Sequence, residues 1–147
     1  MGLDMFLYRK TSVKNWDYSE NKYEVIVTKN GEPHSKIDAD KICEVQEEIG
    51  YWRKANAIHG WIVENVADGV DDCSEVYIPF ARIKELQDLC KEVLKKPHKA
   101  ADLLPVTTGF FFGTYEYDEW YFDSLSETVG ILDQCREGDW IVYQASW

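Results

Sequence analysis

With 147 residues, the chain is long enough to bury about two thirds of its unfolded surface as one domain, residues 1–147, without disulfides or metal. Six Trp, nine Tyr and six Phe exclude a disordered acidic tail. Acidic side chains number 27 against 16 basic ones, and the resulting charge of −11 repels nucleic acid and anionic membrane while suiting a basic protein surface or plain solubility.

The four cysteines, Cys43, Cys73, Cys90 and Cys135, form no C-x-x-C pair. Together with the lack of a signal-like leader or a long apolar run, this predicts a cytoplasmic protein with free thiols, no membrane association and no cofactor.

In chain order, residues 4–10 mix apolar and aromatic side chains and predict a strand, and a polar loop covers 11–22. Residues 23–29 alternate as a strand does and run into Asn30-Gly31, a strong hairpin signal. Pro33 restricts a returning strand over 35–37 to a sheet edge, where a protein can dock. Asp38 or Asp40 then caps a helix predicted to begin near Lys41, with Ile42, Val45, Ile49 and Trp52 at helical spacing.

That spacing leads into residues 50–66. At about 100° per residue, Tyr51, Ala55, Ile58, Ile62 and Val66 share one side, widened by Trp52 and Val63. So broad an arc predicts a helix buried on more than one side, with Gly50 as a kink or junction. Asn56 lies at the edge of the arc and His59 inside it, so both need hydrogen-bond partners. One reading makes them satisfied core groups. The other makes a pocket in which Trp52 stacks, Arg53 or Lys54 holds an anion, and Asn56 and His59 orient or protonate it.

Residues 67–73 form a turn where Asp71, Asp72 and Cys73 approach His59 in sequence. The tight ligand pairs of zinc sites and the alternating oxygens of calcium loops are missing, so no metal is expected. A short strand over 75–78 and Pro79 introduce an amphipathic helix carrying Ile83, Leu86, Leu89, Cys90, Val93 and Leu94, which Pro97 ends. One helical turn is expected over 100–104.

Residues 109–113, Gly-Phe-Phe-Phe-Gly, predict a buried strand. The acidic cluster Glu116, Asp118, Glu119 and Asp123 follows among aromatic rings. It reads as helix first-turn charge, as acids in apolar surroundings, as a cation-pairing contact surface, or as the partner of Arg53 or Lys54. Ser124 with Glu127 matches a capping box at or just after the start of a last helix. Residues 140–145 are apolar on both faces, as a buried strand would be. The sum is a compact α+β domain: about five short strands in a mostly antiparallel or mixed sheet, three or four helices, and a buried central helix.

Three blocks resemble a known group: the opening Met-Gly-Leu-Asp-Met-Phe-Leu, the run Tyr51-Trp52-Arg53-Lys54-Ala55-Asn56-Ala57-Ile58-His59 with Trp61, and residues 109–113 followed by Glu116-Tyr117-Asp118-Glu119. They resemble a family of small, mostly uncharacterised proteins of phages, prophages and bacteria. The likeness extends to about Leu132 and leaves out the final strand. It implies a mobile-element setting and carries over no catalytic residue.

The motifs G-x-x-x-x-G-K-S/T, G-x-G-x-x-G and H-E-x-x-H are absent, which counts against the standard nucleotide and zinc-hydrolase classes. Two functions are therefore expected ahead of a third, purely structural or assembly role, with enzymatic activity left open. The first is an accessory protein that binds another protein, in one version as an acidic inhibitor of a host nucleic-acid-binding factor, without touching nucleic acid itself. The second is a binder of, or small enzyme on, an anionic nucleotide-like or phosphorylated molecule at the central helix.

Overall fold

The computed structural model describes residues 2–109 and 111–147. The fold is α+β. β1 (Asp4–Ser12) is the predicted first strand, extended by two residues, and it lies inside a four-stranded antiparallel sheet. Its neighbours are β4 (Glu44–Arg53) and β6 (Trp140–Ser146), and β5 (Val76–Tyr77) closes the far side of β6. Alternation along β1 sends Met5 and Leu7 into the core, while Phe6 and Tyr8 lie on the other face beside Tyr51 and Val142.

β2 (Thr28–Lys29) and β3 (Glu32–Pro33) make the expected hairpin, with Asn30 (φ +53°) and Gly31 (φ +81°) both in the left-handed region its turn requires. The predicted strand over 23–29 shrinks to those two residues of β2, and 35–37 is not a strand. Tyr23 and Ile26 are exposed, so this ribbon has no buried face to extend it.

The helix predicted from Lys41 does not form. Asp38 caps only a single 3-10 turn, Ala39–Lys41, and the chain then enters β4. The expected helix over 50–66 is likewise corrected: its first part is the end of β4, and α1 (Asn56–Asn65) starts only after Lys54 reverses the chain at φ +56°. α1 is buried from Asn56 through Gly60 and again at Ile62, and exposed at Glu64 and Asn65.

α2 (Phe80–Lys95) follows Pro79 and buries Ile83, Leu86, Cys90 and Val93 against α4 (Glu119–Leu132). Gln87 is buried in that seam, and its amide donates to the Val129 carbonyl (3.1 Å) and to Asp133 (2.9 Å). α3 (Ala100–Leu103) is the single turn expected there. The cap of α4 is Asp118, whose Oδ1 accepts the Tyr121 N–H at 3.0 Å. Ser124 lies in the second turn, its hydroxyl donating to the Tyr121 carbonyl. In the predicted strand over 109–113, Phe110 lies outside the described residues, and the others are not a strand: the Phe112 N–H donates to the Gly109 carbonyl. Phe112 is buried, but in a loop, and the Leu3 N–H donates to the Phe111 carbonyl. Among the described residues, no helix is long and apolar enough to cross a membrane.

One apolar cluster joins the inner sheet face to α1, α2 and α4. Its tightness is clearest at Gly60, where a Cβ would stand 1.8 Å from the Thr107 hydroxyl and 2.8 Å from the Thr107 Cβ. Gly60→Ala is therefore expected to destabilise by about 1–3 kcal/mol, despite its higher helix propensity. Adding Thr107→Gly should recover part of the loss in urea denaturation.

Burial also separates the thiols. It pushes Cys90 up to about 12 and Cys135 up to about 11, whereas Cys43 is exposed. With a thiol-reactive dye at pH 8, Cys43 is expected to label within minutes and Cys90 and Cys135 only on unfolding.

Candidate functional site

The run that sequence reading singled out is divided among three places. Trp52 closes β4 with 2% of its surface exposed, and its indole N–H donates to the Thr128 hydroxyl on α4 at 2.8 Å. Arg53, next along, points outward with its Nε 3.9 Å from an Asp4 carboxylate oxygen. Lys54 is fixed by its backbone: its N–H donates to the Leu3 carbonyl (2.7 Å) and its own carbonyl accepts the Asn56 N–H (2.9 Å).

Asn56 opens α1, and its side chain is fully used. The amide donates to the carbonyls of Phe112 and Thr114, both at 2.9 Å, and its oxygen accepts the Thr107 N–H at 3.0 Å. It ties the loop between α3 and α4 to α1, and so shapes a wall rather than offering a free group. His59, one turn on, is 1% exposed and faces elsewhere. Its Nδ1 lies 2.7 Å from the Tyr143 hydroxyl and its Nε2 lies 3.0 Å from Asp71, with the ring edge against Phe112. The hollow beside it is only about 10 Å³, too small for a ligand.

Two adjoining clefts are large enough to be occupied. The first, about 450 Å³, is lined by Lys54, Asn56, Val106, Glu116, Asp118, Trp120 and Tyr121 among others. The second, about 290 Å³, lies between the end of β4 and α4, with Tyr51, Trp52, Arg53, Asp123 and Glu127 in its walls. Trp120 and Ser124 line both. A further hollow of about 630 Å³ sits where β1 ends, but it is walled by the 14–43 loop, whose Asn15 is spent on the Tyr23 backbone.

The structure thus brings Lys54 and Asn56 together with Glu116 and Asp118, and places Trp52 and Arg53 with Asp123 next door. It does not bring His59 to either cleft, and Glu119 is exposed on the first turn of α4 outside both. Sequence reading missed Trp120, Tyr51 and Glu127. Trp120 is 66% exposed, and a Trp directly after Asp118-Glu119 at a helix start was the signal. Among the described residues, no three His, Cys, Asp or Glu side chains gather around a metal-sized point. No protein-family model, curated protein or solved structure matches the chain.

Proposed function

We propose that this chain is an accessory protein of phage or mobile-element type that acts by binding a basic protein, and that Trp120 with its flanking carboxylates is the contact. One observation carries the reading: a two-thirds exposed Trp stands between two open clefts, with Glu116 and Asp118 on one side and Asp123 and Glu127 on the other. An exposed large aromatic side chain beside pockets is the usual form of a binding hot spot, and the acidic rim selects and steers a cationic partner. The overall charge of −11 adds long-range attraction of the same sign, which suits a nucleic-acid-binding host factor as target.

The competing small-anion reading is supported by Lys54, whose ammonium has no ion pair among the described residues. A phosphate in that cleft would face one ammonium and two carboxylates, and His59, its proposed proton carrier, lies outside it. The protein partner is the better fit.

The test is panning of a random library of internal Lys- and Arg-containing peptides. Wild type is expected to retain binders whose affinity falls as salt rises. Trp120→Ala, which removes no core contact, is expected to weaken them at least tenfold. Equal retention by Trp120→Ala, or no binder at all, would reject the groove.

A further inference from the structure

We infer that the cleft beside Trp120 captures a free carboxyl terminus of the partner, one that ends in Lys or Arg. This rests on the protein-binding reading above and names the part of the partner that enters.

The charges in the cleft point to an occupant carrying both signs. Among the described residues that line it, Lys54 is the one cation and Glu116 and Asp118 are the two anions. Among the described residues none of the three is ion-paired to another, so both signs of charge are left for an occupant to meet. Asp118 commits Oδ1 to capping α4, and its other oxygen makes no hydrogen bond among the described residues. A purely cationic occupant would meet the ammonium of Lys54, and a purely anionic one would meet both carboxylates. A chain terminus ending in a basic residue matches each: its α-carboxylate faces Lys54 and its side-chain cation faces Glu116 and Asp118.

Lys54 is exposed, but its stem has close neighbours. Its stem runs between two glycines: a Cβ on Gly113 would lie 3.0 Å from the Lys54 Cβ, and one on Gly2 would lie 3.3 Å from its Cε. Packed stems leave the ammonium less freedom to lose when a carboxylate arrives. Val106, Ala57 and Tyr121 supply apolar surface for the methylene stem of the occupant, and about 450 Å³ accommodates a terminal residue with part of its neighbour.

The experiment uses two pools of hexapeptides with four random positions followed by two of Lys or Arg. One pool carries a free C-terminal carboxylate and the other a C-terminal amide. Wild type is expected to bind the free-acid pool at least tenfold more tightly. Lys54→Met keeps the stem and removes the charge, so it is expected to bind both pools alike. Glu116→Gln with Asp118→Asn, where Asn still caps α4, is expected to weaken both pools and flatten their salt dependence. Circular dichroism checks that each variant is folded. Equal binding of the two pools by wild type, or an acid preference that survives Lys54→Met, overturns the inference. If the pools bind equally and Trp120→Ala loses both, the Trp120 groove stands and only terminus capture falls. If neither pool binds, terminus capture falls and the groove is judged on the internal-peptide panning.

Discussion

Trp52→Ala is expected to lower stability by about 3–5 kcal/mol, a fall in melting temperature of about 10–15 °C for a chain of this size. The indole fills the space between β4 and α4 with almost none of its surface exposed, and truncation leaves a cavity that those two elements cannot close without moving. Trp52→Phe separates packing from hydrogen bonding. It keeps a ring but removes the donor to Thr128, whose hydroxyl still donates to the Ser124 carbonyl. A cost of about 1–2 kcal/mol is expected there. Chemical denaturation of both variants checks the pair, and a Trp52→Ala protein as stable as wild type would show that the indole packs nothing.

His59→Ala is expected to cost about 2–5 kcal/mol through a different route. Burial raises Tyr143 well above its ordinary range, which keeps the phenol neutral and able to donate to Nδ1. Nε2 then carries the ring proton and donates to Asp71, an arrangement that satisfies all three groups. Removing the imidazole leaves a buried hydroxyl without its partner and opens a gap beside Phe112. The double variant His59→Ala with Tyr143→Phe removes the orphaned hydroxyl as well. It is expected to lose at least 1 kcal/mol less than the two single losses added together. Strict additivity would show that the two groups do not interact.

Elements with a clean local signal were legible in the sequence. The amphipathic stripe of α2, the Asn30-Gly31 turn and the doubly apolar β6 each state their environment in their own residues. β4 could not be read that way. Residues 44–48 are exposed on both sides because the strand runs past the core, so no alternation exists there to detect. A bulge then leaves Ile49 unpaired, since Leu7 faces Gly50 and Tyr8 faces Glu48. What remains, Ile42, Val45, Ile49 and Trp52, falls at helical spacing by accident, and pairing with β1 overrides it. The same error spread to the site. A single helix through Trp52, Asn56 and His59 puts all three within a few turns of each other, whereas the reversal at Lys54 parts Trp52 on β4 from Asn56 and His59, which stay one turn apart on α1. Glu116, Asp118 and Glu119 stand within four residues at one helix start, where position in sequence and position in space nearly coincide.

The place of β1 inside the sheet sets an order of events in folding. Its two partners come from distant parts of the chain, residues 44–53 and residues 140–146. The nearer loop closes at lower entropic cost, so β1 and β4 can pair while β6 is still unattached. In that interval the second edge of β1 presents unpaired N–H and carbonyl groups along Asp4–Lys10, next to the uncovered side chains of Met5 and Leu7. Such an edge accepts a strand from any chain that supplies one, including another molecule of the same protein. Crowded refolding therefore sets an intramolecular search over most of the chain against an encounter that rises with concentration, and aggregation is expected to begin at what becomes the centre of the finished sheet.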